Sequence, residues 1–157
     1  MRELRVGSWF AVLMLTLTVA GCNKSKESSG AGAAPAAAPA EGEEFRVEAR
    51  HAEAAKVGET LTAVLSATGV APWHVNVEYP AKLEIVTVEG FSAPDSPMRK
   101  EAAAKLDETE LRFEVPLTAE EAGERTVELK LKFGLCNADR CISRESVQRW
   151  TVAVGGG

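Results

Sequence analysis

The chain has 157 residues, 45% of them hydrophobic and 26% charged, with 18 Lys+Arg against 23 Asp+Glu and a formal net charge of −5. Setting aside residues 1–21, which hold Arg2, Arg5 and Glu3, leaves 16 Lys+Arg against 22 Asp+Glu, a net charge of −6. That balance argues against nucleic acid as a partner, because phosphate binding needs clustered positive charge, and against electrostatic adhesion to an anionic lipid surface.

At the N-terminus, Arg2 and Arg5 form a short positive region, and residues 9–20 are nearly all apolar. That run is shorter than the about 20 apolar residues that a bilayer-spanning helix needs. It fits the h-region of a signal peptide. The small residues Ala20 and Gly21 precede Cys22, as a signal peptidase requires. The set resembles the bacterial lipoprotein signal, whose lipobox ends in Gly-Cys and is lipidated on the cysteine and cut just before it. The resemblance implies that 1–21 are a signal peptide and that Cys22 carries lipid, palmitate included, as a membrane anchor in the cell envelope. In that family an aspartate after the cysteine retains the product in the inner membrane. Asn23 stands here, which implies the outer membrane, facing the periplasm. The competing reading is an ordinary secretory signal with a chance cysteine.

Residues 22–43 are rich in Ala, Pro, Gly and Ser, with no apolar periodicity and no large side chain. Such a segment buries too little surface to offset the entropy of ordering it, so a flexible tether is expected. About 20 residues at roughly 5–6 Å × √n reach on the order of 25 Å. Residues 44–154 are enough for one domain, and 155–157 are expected to fray.

Within the domain, alternation with period two dominates, which is the strand signal. It runs through Phe45, Val47 and Ala49, then Leu61, Ala63 and Leu65, then Trp73, Val75, Val77 and Tyr79, then Leu83 and Ile85. It resumes at Leu111, Phe113, Val115 and Leu117. The cleanest stretch is Val127, Leu129, Leu131, Phe133 and Leu135, and Trp150, Val152 and Val154 close the domain. Helical signals are few. Thr118-Ala119-Glu120-Glu121 has the form of a capping box, with Gly123 placed to end its turn. Residues 100–106 have high helix propensity but sit between strands, where tertiary context is expected to override it. About seven short strands predict an all-β fold, an immunoglobulin-like antiparallel β-sandwich in which each sheet buries one face. A small barrel is the rival.

Cys136 and Cys141 lie late in the chain. Cys136 has even parity, so it falls on the side of Lys130 and Lys132, away from the core. The intervening Asn-Ala-Asp-Arg is turn chemistry. The two cysteines are therefore expected to flank a hairpin tip, where a disulfide is easy if the Cα atoms come within about 7 Å. So short a loop gives about 2 kcal/mol in the chain-entropy model, near the low end for disulfides. Arg140 and Arg144 favour a thiolate at this place and Asp139 opposes it.

On these features, with Glu89-Gly90-Phe91 and 111–118 upstream, the stretch 72–154 resembles the N-terminal periplasmic domain of the thiol:disulfide interchange protein DsbD. The resemblance covers about 80 residues, and the cysteine hairpin is its one sharp motif. It implies an immunoglobulin-like sandwich whose hairpin cysteines, here Cys136 and Cys141, are the catalytic pair and pass electrons to or from thioredoxin-like partners. The sequence departs from the family in two places. Ile142-Ser143 follow the second cysteine where the family often has proline. The loop 92–98, in the place of a shielding cap loop, has no aromatic residue.

The alternatives to exchange are a disulfide that only pins the hairpin in a structural or protein-binding lipoprotein, free thiols, or a zinc site drawing on Cys136, Cys141, His51 and His74. One close cysteine pair is weak evidence for zinc, so no metal is assigned. His74 reads as a solvated surface residue. Trp73, Tyr79 and Trp150 keep strand phase and read as core. No cofactor motif, nucleophile elbow or phosphate loop is visible, so a hydrolase or transferase is not expected.

Overall fold

Two antiparallel sheets pack face to face through the apolar sides of their strands, as the alternation requires. The computed structural model describes residues 37–156, so the expected signal peptide, Cys22 and most of the expected tether lie outside the described residues. One sheet has the order β1 (Ala37–Glu41), β2 (Phe45–Arg50), β4 (Thr60–Gly69), β10 (Leu111–Ala119), β7 (Phe91–Ser92), with β9 (Lys105–Leu106) also on β10. The other has the order β3 (Ala54–Lys56), β12 (Cys141–Gly155), β11 (Gly123–Cys136), β6 (Lys82–Val88), β8 (Met98–Arg99), with β5 (His74–Val75) also on β11. The ladders are antiparallel except β3 on β12, which is parallel. The fold is the expected all-β sandwich.

The core is what the period-two pattern gives. Val47, Leu65, Phe113 and Val115 from one sheet meet Val127, Leu129, Leu131, Phe133 and Leu135 from the other, all fully buried. Phe45 meets Phe133 edge to face at 5.4 Å. Burying a side chain of this size stabilises by about 1.5–3 kcal/mol, which is why the register of these strands is strongly specified. β11 and β12 pair without interruption from Gly123 opposite Val154 to Cys136 opposite Cys141.

Four expectations change. Ala37–Glu41, inside the expected tether of 22–43, forms an edge strand on β2, because a ladder of backbone hydrogen bonds needs no large side chains. Gly155, expected to fray, is the last residue of β12 and pairs with Lys56. Thr118 and Ala119 start no helical turn. They finish β10 with Ala119 buried, and the N–H groups of Glu120 and Glu121 donate to Gly90 O at 2.8 and 3.2 Å. The run Trp73–Val75–Val77–Tyr79 is a strand only at His74–Val75. Around it the chain turns, with Asn76 Oδ1 accepting from Glu78 N–H at 2.9 Å. Residues 100–106 reduce to a single 3-10 turn, Lys100–Ala102, before β9, as expected where context overrides propensity.

Candidate functional site

The longest ladder among the described residues ends in sulfur. Cys136 is the last residue of β11, Cys141 is the first of β12, and their Sγ atoms are bonded, with Cα atoms 4.0 Å apart. The turn between them forms locally, as Asn-Ala-Asp-Arg suggests. Asn137 Oδ1 accepts from the N–H groups of Asp139 and Arg140, both at 2.9 Å, and Asn137 N–H donates to Arg140 O at 2.9 Å. Cys141 is exposed and Cys136 half-buried. Parity holds: Leu135 is in the core and Cys136 is on the opposite face, with Lys130 and Lys132.

What surrounds the disulfide comes from a segment that sequence reasoning assigned elsewhere. His74 is the ladder partner of Cys136 on the side away from Cys141. His74, Cys136 and Cys141 thus form one lateral row across three strands, on one face of the sheet. This segment is fastened by Val75 N–H to Glu108 O and Asn76 N–H to Gly134 O, both at 2.9 Å. Trp73 is half-buried rather than core, with the guanidinium of Arg140 over its ring. Tyr79 lies on Gly134 of β11 and shares a 2.7 Å hydrogen bond between its Oη and Ser143 Oγ.

Two glycines make these approaches possible. A Cβ on Gly134 would sit 2.6 Å from the Tyr79 side chain, and one on Gly69 would sit 2.3 Å from Trp73 O. Gly69, Ala71, Pro72, Trp73, His74, Glu108 and Thr109 line an open hollow beside the row. The loop 92–98, the expected place of a cap, is tied instead to β6, where Ser96 Oγ accepts from Ile85 N–H at 2.9 Å. The signals that mark the real flanking segment in the sequence are the turn formers Pro72, Asn76 and Pro80 around a two-residue strand.

The electrostatics differ from expectation at Arg144. Its guanidinium Nη2 is 2.8 Å from Glu44 Oε1, a partner a hundred residues away, so it is engaged rather than free to face a thiolate. That hydrogen bond, with the charge of Arg144 behind it, holds the Glu44 carboxyl below its ordinary range despite some desolvation. Arg140 lies against Trp73. Trp150 is core as expected, and His51 stacks on it at 4.6 Å. Trp150 stands nine positions along β12 from Cys141, about 30 Å at strand rise. His51 therefore does not join His74 and the cysteines, and the four-ligand zinc alternative has no geometry here.

The arrangement offers an S–S bond between an exposed and a half-buried cysteine, with an imidazole-bearing residue next in the row. That is a set of groups suited to thiol–disulfide exchange. No family model matches the chain, and no curated protein matches it. Solved structures similar to it include the N-terminal periplasmic domain of ScsB from Proteus mirabilis, at 12% identity and a TM-score of 0.47 over 73% of this chain and 50% of that one. The GAE domain of yeast GGA1 follows at 10% identity, a TM-score of 0.42 and coverage of 71% and 95%. A cohesin module from a Clostridium perfringens family 33 glycoside hydrolase stands at 12%, 0.42, and 73% and 98%. This chain thus spans half the length of the ScsB chain it matches.

Proposed function

We propose that the chain is a lipid-anchored cell-envelope domain whose Cys136–Cys141 disulfide exchanges with the dithiol of a thioredoxin-like partner. The observation that carries this reading is the position of the bond, at the solvent-reachable end of a ladder that already fixes the hairpin register. A disulfide there adds about 2 kcal/mol by the loop-entropy argument. In the proposed step, a partner thiolate attacks Sγ of Cys141, the more exposed residue of the two. The S–S bond breaks and its electron pair leaves on Sγ of Cys136, beside His74. The partner's second thiol, deprotonated, then attacks the mixed disulfide and frees the Cys141 thiolate. Two electrons enter this chain, and the partner is left oxidised.

A rival reading draws on the clasp formed by Trp73, Tyr79 and the His74 ladder, which holds the tip whether or not the sulfurs turn over. In it the domain is a binding or structural lipoprotein and the disulfide only pins the hairpin. The reduction potential separates the two. Exchange predicts a value above about −300 mV and reduction by a thioredoxin-like dithiol; a value well below that, with no electron uptake, overturns it in favour of the structural bond. Anchoring through Cys22 in the outer membrane, facing the periplasm, belongs to the same proposal. Mass spectrometry of the peptide that begins at Cys22 tests it, and an unlipidated cysteine there would end it.

A further inference from the structure

β12 is paired with β11 from Cys141 to Val154 on one side. On the other side β3 covers it just at Ala153, Val154 and Gly155. Among the described residues, no strand pairs with that edge before Ala153. Ala153 N–H donates outward to Glu53 O, and Gly155 O accepts from Val57 N–H. The odd positions of β12 therefore turn their backbone groups toward the open edge, and Glu145, Val147 and Arg149 stand on it with exposed side chains. Val147 is 52% exposed, among the few large apolar side chains left in water within the described residues. β1 comes within 8 Å of β12 in places but is laddered to β2 instead, and an edge without a backbone partner is a template for another strand.

The charges on the sheet say which strand fits. Glu145 faces Lys132 of β11 at 3.5 Å, and Arg149 faces Glu128 of β11 at 3.6 Å. We infer that the occupant of this edge is a second copy of the chain, its β12 antiparallel to the first about a two-fold axis through Val147. In that register Glu145 opposes Arg149 of the second copy, twice by symmetry. A row across four strands then reads Lys132, Glu145, Arg149, Glu128, alternating in sign from end to end. Val147 meets its own copy at the centre, and the facing pairs at 145, 147 and 149 form about six ladder hydrogen bonds, two for each pair. Centring the two-fold on Glu145 or on Arg149 would set like charges directly opposite, which is unfavourable. Centring it one residue from Val147 loses both ion pairs. The interface is isologous, so it closes at two copies.

The test uses the full chain in detergent. Sedimentation equilibrium is expected to show a dimer that dissociates on dilution. Arg149→Glu should weaken it at least about tenfold, and the Glu145→Arg, Arg149→Glu pair should restore it. With Val147→Cys, mild oxidation should give a dimer cross-linked 147 to 147, since facing Cα atoms would lie about 5.5 Å apart. Glu145→Cys alone should not cross-link, its copies standing about four residues apart along the strands. A monomer at every concentration, equal cross-linking at both positions, a dimer indifferent to the charge exchange, or protection of the Val147 amide only on adding a different protein would each overturn the inference.

Discussion

The guanidinium carbon of Arg140 lies 5.6 Å from the centre of the Trp73 ring, which ties the hairpin tip to the segment that flanks the disulfide. Such a contact is worth about 0.5–1 kcal/mol at an exposed site, small for the fold but large for the mobility of a four-residue turn. Trp73→Ala is expected to speed reduction of Cys136–Cys141 by a small dithiol severalfold, with a stability change of about 1 kcal/mol. Stopped-flow reduction kinetics beside urea unfolding check this. An unchanged rate would mean that the clasp does not guard the sulfurs.

Replacing both cysteines, Cys136→Ser with Cys141→Ser, should leave the sandwich folded and cost about 2 kcal/mol. Chemical denaturation reads the loss. Far-ultraviolet dichroism should be unchanged, because the β11–β12 ladder is built from backbone pairs that do not involve sulfur. Collapse of the fold would mean that the disulfide is structural in a stronger sense than its short loop implies.

Gly134→Ala places a methyl group 2.6 Å from Tyr79 Cβ and Cγ. Something must move, and overpacking of this kind costs about 1–3 kcal/mol. Tyr79→Phe, which removes only the hydrogen bond to Ser143, should cost about 0.5–1.5 kcal/mol. Thermal or urea unfolding of the two variants distinguishes the packing from the hydroxyl. A Gly134→Ala protein as stable as the parent would remove Tyr79 from its place over β11.

Glu84 sits between two lysines. Lys130 Nζ is 2.6 Å from its Oε2, Lys82 holds the other oxygen, and these hydrogen bonds push its carboxyl down to about 2. A carboxyl lowered on folding stabilises above its unfolded value and loses that stabilisation as pH falls through the folded one. The loss should therefore fall between about 4.5 and about 2. Lys130 is raised in turn by the hydrogen bond it donates to Glu84, so the same contact fades again as pH climbs past the ordinary lysine range. Urea midpoints measured across the acid limb should drop less steeply in Glu84→Gln than in the parent. Parallel curves would dismiss the pair as a source of acid sensitivity.

Much of the fold is legible in the amino-acid order because both sheets bury one face. Val127, Leu129, Leu131, Phe133 and Leu135 alternate with charged or small residues, and a one-residue slip would turn all five outward. The same parity places Cys136 off the core from the amino-acid order alone. The neighbours of the disulfide are less legible. Trp73, Val75, Val77 and Tyr79 also alternate, yet only Val75 is fully buried, because turns at Pro72, Asn76 and Pro80 break the ladder that such a pattern normally reports. The pairing of Arg144 with Glu44 joins distant parts of the chain and leaves no local trace. Ala37–Glu41 escapes notice for the opposite reason: edge pairing there rests on peptide groups, which every sequence carries.

The uninterrupted β11–β12 ladder has a kinetic consequence. Its fourteen facing pairs, from Gly123 opposite Val154 to Cys136 opposite Cys141, would hold two separated thiols within reach of each other after the bond between them opened. When a partner holds Cys141 in a mixed disulfide, attack of the Cys136 thiolate on Cys141 Sγ, which expels the partner thiolate, is then unimolecular, with the high effective concentration that fixed neighbours enjoy. A mixed disulfide formed at this hairpin would be short-lived, so catching one requires a variant that lacks the second sulfur.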